Sequence, residues 1–278
     1  MRRAPVTMAG CGYVKSPTTT AELAQALSRK IAIRLEGSGS KRGWIAQREG
    51  ELLSLSKMTG IVDFHPADQT VVVRAGTRVA DLQEELRAAG QCLPMPDPGQ
   101  AGVALAGYLG TVGGLLACDV PHGLYAQHGG PRDWVLGATF VRPGGEVAKS
   151  GSRVVKSVAG FDIHRMVVGN WGRWLAISEV ALRTFPIRAV RPMLARQVLD
   201  YSGEAWIVRT LPSEYERCAA HLRPFAVDPA SCTIWSMTPP QSDEFLLLGP
   251  KGRRGPSATA EVMRERLDRV LDPGGVLR

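Results

Sequence analysis

Residues 110–186 constrain the fold more than any other part of the sequence, because their apolar runs are short and glycine separates them. The stretch begins with the glycine-rich sequence GTVGG, and its Gly144-Gly145 pair predicts a hairpin turn between two apolar runs. Short apolar runs linked by glycine turns are typical of strands. Glycine also lets the backbone approach a bulky or anionic group, because no Cβ intervenes. This stretch therefore predicts strands and loops that line a binding site.

The first hundred residues mix short strands with helices. Threonines at 18–20, followed by a helical apolar stripe, predict a helix over about residues 20–30. A second stripe predicts a helix that ends at Gly90. The β-branched run at 70–74 predicts a strand. Further strands are predicted at 31–35, 52–55, 61–64, 134–141, 146–148 and 177–183. Because these elements do not form regular βαβ repeats, the predicted class is α+β.

A glycine-serine loop follows the predicted strand at 31–35 and is the first chemical candidate. Its sequence, GSGSKRG, places small residues with exposed amides and hydroxyls where they can wrap a pyrophosphate, and Lys41 or Arg42 can add positive charge. The spacing is neither that of a dinucleotide GxGxxG loop nor that of a Walker loop. An ordinary surface turn remains the alternative for this loop.

The basic composition limits the classes of partner. A net charge of +8 and a pI near 9.5 indicate a basic face. Lys251 to Arg254 form the only tight basic group, and aromatic residues do not interleave with basic ones as in a base-stacking platform. An acidic cofactor, substrate or partner subunit therefore explains the charge better than nucleic acid does, although an anion- or nucleic-acid-binding module stays a third hypothesis.

The cysteines and one uncharged segment exclude other classes. The five cysteines are far apart and form no CxxC pair, which argues against a metal site and favours reduced thiols in the cytoplasm. Residues 99–118 carry no charge and are long enough to span a bilayer, but they include six glycines. A buried glycine-rich loop is the better interpretation of that segment.

The composition shifts after Arg188, which predicts two domains, residues 1–189 and 190–278. The second part holds short strand candidates among Pro, Ser and Gly. It ends in a helix whose apolar face is predicted to include Met263, Leu267 and Leu271.

Several motifs, taken in order along the chain, resemble those of the FAD-binding PCMH-type (vanillyl-alcohol oxidase) family, and most closely the FAD-binding subunits of bacterial glycolate oxidases. Each motif alone is unspecific, whereas six in register are specific. The resemblance covers most of residues 20–188 and is thinner beyond them. The matching segments are residues 33–43, 68–77, 110–114, 132–137, 155–162 and 177–186, together with the ending at 271–277.

The resemblance implies a two-lobed α+β FAD-binding domain followed by a small, reduced α+β cap domain. It also implies non-covalent FAD, with the first loop on the diphosphate, the glycine step close to the cofactor, and Ile177 beside its adenine or ribose end. The backbone N–H groups of both loops are expected to be open toward the diphosphate. Lys156 and Asp162 belong to the signature, and a salt bridge between them is the alternative to a functional role. The implied cofactor-binding residues are Gly37, Ser38, Gly39, Ser40, Lys41, Thr111, Gly113, Gly114 and Ile177.

The implied function is that of an FAD-binding subunit of a glycolate- or lactate-type 2-hydroxy-acid oxidase or dehydrogenase, which passes electrons from the flavin to a partner subunit. The implied partners are a small 2-hydroxy acid, catalytic and iron-sulfur subunits, and a membrane reached only through those subunits; nucleic acid is not among them. No catalytic residue is assigned. His122 and His128, in a glycine-rich loop, are the histidines that merit a test, with a solvated loop position as the alternative.

One departure from the family pattern supports a different hypothesis. The family has a Gly-x-x-Gly-x-Leu-Gly sequence before its final strand, but residues 169–175 read GNWGRWL here. Leu175 therefore replaces the last glycine, and Trp174 adds bulk. If this segment contacts the flavin, its shape differs from that of the family. The alternative function is therefore a flavin-free scaffold subunit that binds a catalytic partner.

Overall fold

The computed structural model describes residues 16–42, 49–95, 110–119, 128–152, 162–190, 206–222, 224, 226–228, 232–236, 238–240, 246–249, 252–253 and 258–277. The chain begins with helix α1 (Thr20–Leu27), whose Thr19 side chain accepts a hydrogen bond from the N–H of Glu22. Its buried Leu23 and Leu27 pack on strand β1 (Ile33–Glu36), which pairs in parallel with β2 (Glu51–Ser54).

A five-stranded antiparallel sheet forms the centre of the molecule, in the order β3-β4-β8-β6-β7. Strand β8 lies in the middle of this sheet, and six of its eight residues are buried, as expected for a strand with covered faces. The bounds are β3 (Ile61–His65), β4 (Thr70–Arg74), β6 (Val135–Val141), β7 (Val147–Gly151) and β8 (Ala176–Arg183).

Helices α2 (Val79–Ala88) and α3 (Val112–Cys118) pack their buried residues into the core of this sheet. Two one-turn helices, α4 (Pro131–Trp134) and α5 (Ile163–Met166), lie next to the β6-β7 hairpin in the sequence. Strands β5 (Gln91–Cys92) and β9 (Phe185–Pro186) form a short antiparallel pair, and the 3-10 turn Ile187–Ala189 follows it.

A second antiparallel sheet follows, in the order β11-β12-β10-β13-β14. Its Trp235 is 2% exposed and joins the hydrophobic core of the first sheet. The bounds are β10 (Trp206–Arg209), the 3-10 turn Pro212–Glu214, α6 (Tyr215–Leu222), β11 (Ala226–Asp228), β12 (Thr233–Ser236), β13 (Leu246–Gly249), β14 (Gly252–Arg253) and α7 (Ala258–Leu271).

The C-terminal residues return to the beginning of the chain. Leu277 forms a parallel bridge with Ile33, and both Val276 and Leu277 are buried with the residues of α1. The Asp272 carboxylate accepts hydrogen bonds from the N–H groups of Val276 and Leu277, each 2.8 Å long. The last turn of the chain is therefore part of the core that supports β1.

The mixed α/β architecture with antiparallel sheets confirms the predicted fold class. The two-lobed arrangement and the domain boundary at residue 190 stay predictions. One packing prediction was wrong in part: Leu267 and Leu271 of α7 are half-buried, but the Met263 side chain is 54% exposed, because the half-buried face of the helix runs through residues 261, 264, 267, 268 and 271. Within the described ranges, the helices are too short and too polar to cross a membrane.

Candidate functional site

A cavity of about 440 Å³ lies between the end of β1, the start of α3 and the segment that leads into β8. This volume is within the range of about 300–1,000 Å³ that is usual for ligand pockets. The cavity brings together all the residues that the sequence predicted for cofactor binding: Gly37, Ser38, Gly39, Ser40, Lys41, Thr111, Gly113, Gly114 and Ile177. Their role in binding stays a prediction, but their juxtaposition is observed.

The loop after β1 presents open backbone amides to the cavity. Among the described residues, no protein acceptor receives a hydrogen bond from the N–H groups of residues 37–40. Gly39 has φ +76°, a left-handed conformation that glycine adopts without strain. Arg42 also lines the cavity, and it forms two hydrogen bonds with the Glu36 carboxylate. The exposed Arg42 is therefore paired with Glu36, and the loop's other cation is left for a ligand.

Lys41 is that remaining cation. It is 6% exposed, and its Nζ atom makes one hydrogen bond, a long one of 3.5 Å to Ser40 Oγ. Within the described ranges, no carboxylate forms a salt bridge with it. Burial lowers the pKa of Lys41 below its usual value of 10.5, while the nearby Cys118 opposes that shift. A buried ammonium without a counter-ion favours an anionic ligand.

The glycine step at 110–114 plays a different part from the one expected. Its amides were predicted to be open toward a ligand, but Val112 donates to the Thr77 carbonyl and Gly113 to the Ala75 carbonyl, both at 2.8 Å. Gly114 donates to its own turn's Thr111 Oγ1. The prediction of open amides was therefore wrong for these three residues. The N–H groups of residues 37–40 have no such partner among the described residues.

The glycines of the step instead allow close packing. A Cβ on Gly113 would lie 2.9 Å from the Cβ of Ala75, and a Cβ on Gly37 would overlap the Thr111 side chain. The two loops are therefore in direct contact with each other. A Cβ on Gly114 would lie 3.7 Å from Lys41 Nζ, which places that glycine beside the buried ammonium.

The third wall of the cavity comes from residues 169–175, here named the wall turn. Trp171, Gly172 and Leu175 line the cavity, and Leu175 is 3% exposed. Trp174, which the sequence analysis suspected of filling the pocket, is not part of the lining. Its Nε1 donates a hydrogen bond of 2.8 Å to Asp268 of α7. The departure from the family pattern thus places one large side chain, Leu175, at the cavity and directs the other away from it.

The sequence analysis did not assign the other lining residues to cofactor binding, although several lie within its matching segments or in residues 169–175. Most are apolar side chains that face the cavity only after folding. Ala75 lies within the matching segment 68–77, and its small side chain indicates close packing there. The missed residues are Arg34, Leu35, Glu36, Leu52, Leu55, Ala75, Ala117, Cys118, Trp171 and Gly172.

The described histidines do not form part of this cavity. His128 packs edge-on against Phe185, and burial lowers its pKa below the usual 6.5. His164 is buried and bonds Ser150 Oγ through Nδ1 at 3.0 Å. Asp162 contacts His164 and Arg165. His122 and Lys156, which the sequence analysis also named, lie outside the described residues.

Comparison with known proteins identifies the family. The profile of a family described as "FAD binding domain" matches residues 12–151, half of the chain. The chain belongs to the FAD binding domain family. The matched region contains the loop after β1, the glycine step and four of the five strands of the central sheet, namely β3, β4, β6 and β7.

The curated relatives of this FAD binding domain are longer than the chain. Glycolate oxidase subunit GlcE of Escherichia coli (strain K12) is 29% identical over 188 residues, which are 68% of this chain and 51% of that protein. D-lactate dehydrogenase of Anaerostipes hadrus is 27% identical over 76% of this chain and 43% of its own length. The chain therefore spans about half the length of these relatives.

A solved structure shows the same fold. The 6-hydroxy-D-nicotine oxidase of Arthrobacter nicotinovorans has a TM-score of 0.51 and 18% identity, and the match covers 77% of this chain and 43% of that one. This likeness supports the architecture and nothing beyond it.

The residues of the cavity fit FAD. A diphosphate requires positive charge and donors, which buried Lys41 and the amides of residues 37–40 provide. The flat rings require apolar walls, which Leu35, Ala75, Leu175 and Ile177 provide. FAD is therefore the cofactor that both the family and the cavity indicate.

Proposed function

We propose that this chain is an FAD-binding subunit of a 2-hydroxy-acid oxidase or dehydrogenase of the glycolate or lactate type. The observation that carries the proposal is Lys41, a buried ammonium without a counter-ion, beside the open amides of a glycine-serine loop. The glycolate oxidase and lactate dehydrogenase names of the relatives support the substrate class.

In this proposal the chain binds and orients the cofactor. Lys41 and the N–H groups of residues 37–40 hold the diphosphate, and Ile177 packs beside the adenine or ribose end. Trp171 and Leu175 limit the width of the cavity. Bound FAD supplies two-electron redox chemistry, which protein side chains lack. Lys41 keeps its proton when a diphosphate is bound, because the anion offsets the cost of burying the charge.

The proposal extends to partners and to the C-terminal part. The flavin passes electrons to a partner subunit, and catalytic and iron-sulfur subunits complete the enzyme, which reaches a membrane only through them. Residues 190–278 act as a reduced cap domain. The match to this chain spans only about half the length of these relatives.

One observation favours a second candidate. Leu175 stands in the cavity lining at a position where the family pattern has glycine. A leucine side chain there narrows the cavity. In the alternative function, the protein has lost FAD and serves as a scaffold for a catalytic partner.

Flavin binding by the purified full-length protein separates the two candidates. Calorimetric titration with FAD, followed by desalting and measurement of flavin absorbance, is expected to show one bound FAD per chain. Lys41→Met is the matched variant, and it is expected to bind FAD more weakly. A wild-type protein that retains no flavin after incubation with excess FAD would overturn the proposal and favour the scaffold. Reduction of the bound flavin by glycolate or D-lactate, with the co-purified partners present, tests the substrate class.

A further inference from the structure

The wall turn (residues 169–175) has an unfavourable backbone. Gly169, Trp171 and Gly172 all have positive φ, at +79°, +58° and +72°. Glycine accepts this conformation, but a bulky residue such as tryptophan rarely does. Backbone strain of this kind persists only where the surrounding structure imposes it, and it is concentrated at ligand sites.

Two buried donors without partners further destabilise the wall turn. Asn170 Nδ2 and Trp171 Nε1 are buried and have no hydrogen-bond partner among the described residues. Asn170 Oδ1 does accept from the Gly172 N–H, at 2.7 Å. Buried donors without acceptors are uncommon in folded proteins and call for a physical explanation. The turn's own bonds, from Gly172 and Arg173 to Asn170, leave both donors unpaired, so contacts from outside add to the support of its shape.

Those contacts come from two sides. On one side, Gly169 and Trp171 donate their N–H groups to the carbonyls of Leu116 and Ala117 at the end of α3, at 2.9 and 2.8 Å. On the other side, Asp268 Oδ1 accepts from Arg173 Nε at 3.1 Å and from Trp174 Nε1 at 2.8 Å. Gly172 and Leu175 line the cavity. Asp268 therefore bonds the two residues that lie between them in the chain.

We propose that Asp268 is a positioning residue for the cofactor cavity: through Arg173 and Trp174 it fixes the wall turn in the strained shape that forms the third wall. The inference rests on the proposed function in that the ligand of the cavity is FAD. Asp268 lies on α7, beyond residues 12–151 that match the family profile. The C-terminal helix thus supports a site whose lining comes mostly from the matched region.

The choice of acceptor supports this role. One carboxylate oxygen receives an indole N–H and a guanidinium N–H at the same time, and bonds to an ionised acceptor are stronger than neutral ones. The Asp268 side chain is one-third exposed, so water competes with these bonds only in part. Replacing the carboxylate removes both bonds at once and leaves the α3 contacts of Gly169 and Trp171 as the remaining support.

Asp268→Ala tests the proposal, with Glu265→Ala on the same helix as the matched control, because Glu265 pairs only with Arg269 among the described contacts of its side chain. FAD affinity is measured by calorimetry at a temperature at which circular dichroism shows every variant to be folded. We expect Asp268→Ala to weaken FAD binding by about three- to thirtyfold and Glu265→Ala to leave it unchanged. Equal affinity of wild type and Asp268→Ala would overturn the proposal.

A double-mutant cycle with Trp174→Phe separates positioning from a general loss of stability. Phenylalanine keeps the ring but removes the N–H that Asp268 accepts. Each single variant is expected to weaken binding, and the double variant to be no weaker than Asp268→Ala alone. Fully additive effects of the two substitutions on FAD affinity would show that Asp268 does not act through Trp174.

Hydrogen exchange tests the positioning role without FAD. In the cofactor-free protein, the amides of Gly169 and Trp171 are expected to exchange faster in Asp268→Ala than in wild type, because the wall turn opens more often. Unchanged exchange would overturn the inference. Failure of wild type to bind FAD, with faster exchange in the variant, would instead overturn the proposed function and leave Asp268 as the support of the turn.

Discussion

Lys41 is the residue at which burial and charge oppose each other most directly. Burial lowers its pKa below 10.5, so the folded cofactor-free protein binds this proton less tightly than the unfolded chain does. The stability of the cofactor-free protein therefore rises as the pH increases from the lowered pKa toward 10.5. An anionic ligand opposes this lowering of the Lys41 pKa, because the diphosphate favours the charged amine.

Lys41→Met is expected to separate these two effects. The variant should bind FAD about 10- to 100-fold more weakly, because a bond between a charged donor and an anion contributes about 1.5–3 kcal/mol. Its cofactor-free form should be no less stable than wild type at neutral pH, since a buried charge has been removed. Calorimetric FAD titration and urea unfolding measure the two quantities, and undiminished FAD affinity would contradict the role of Lys41.

Gly113 and Gly114 are neighbours whose replacement by alanine should have different consequences. The added Cβ of Gly113→Ala meets the Ala75 Cβ at 2.9 Å and the Ala75 carbonyl at 3.1 Å. Overpacking costs about 1–3 kcal/mol, whereas the gain in helix propensity is at most about 1 kcal/mol. Gly113→Ala should therefore lower the free energy of unfolding.

Gly114→Ala should leave the stability nearly unchanged and weaken FAD binding. Its Cβ meets Thr111 Oγ1 at 3.3 Å, a contact that a small shift relieves, and it narrows the cavity next to Lys41 Nζ. Urea unfolding and FAD titration of both variants test the pair. If Gly114→Ala bound FAD as wild type does, Gly114 would lie outside the bound cofactor's reach.

At the scale of the elements, the hairpin strand β7 and the one-turn helix α5 are joined through one buried histidine. His164 Nδ1 and Ser150 Oγ are 3.0 Å apart, and the His164 N–H also donates to that oxygen. Burial lowers the pKa of His164 below 6.5; Asp162 opposes this shift and Arg165 adds to it. The folded protein therefore disfavours the protonated form of His164.

The lowered pKa of His164 makes the stability of the protein fall as the pH decreases. As the pH falls below 6.5, the unfolded chain takes up the proton before the folded protein does, so this group lowers the stability until the pH passes the lowered folded pKa. His164→Gln should therefore lose less stability between pH 7 and mildly acidic pH than wild type does. Urea unfolding across that range measures it, with His65→Gln, on an exposed side chain, as the control. Equal slopes for wild type and His164→Gln would show that His164 does not titrate in this range.

The strands and helices were the most predictable features, because local residue choices specify them. The β-branched run at 70–74 forms β4 with the predicted bounds, and the helix before Gly90 ends as predicted, at a residue with φ +70°. The roles of the glycines were less predictable. A glycine serves equally when a ligand or another part of the protein comes close, and at Gly113 the partner is Ala75.

The candidate site was predictable in part. The loop after β1 and the glycine step carry local motifs, and both line the cavity. The wall turn is positioned by Asp268, 94 residues after Trp174 in the chain, and no local pattern encodes a contact at that separation. The use of the amides of Val112 and Gly113 was likewise decided by tertiary neighbours in the β4–α2 connection.

At the scale of the whole molecule, the two parts of the chain share their cores. Trp235 of the second sheet packs with the residues of the first, and Val276 and Leu277 pack with α1 and Ile33. Strand β1, which leads into the cofactor loop, therefore pairs with β2 and also bridges to the end of the chain. This arrangement predicts that the two parts unfold together rather than one after the other.

Removal of residues 272–278 tests this coupling. Burial of Val276 and Leu277 contributes about 1.5–3 kcal/mol each, so the truncated protein should lose about 3–6 kcal/mol of a total of about 5–15 kcal/mol. The loss of the two Asp272 hydrogen bonds adds to this effect. Gly274→Ala, whose Cβ meets only Val276 Cγ2 at 3.6 Å, keeps the tail and serves as the control. Because β1 carries the loop with the open amides, the truncated protein should also bind FAD more weakly. An unchanged urea midpoint would mean that the core around α1 and β1 is complete without the end of the chain.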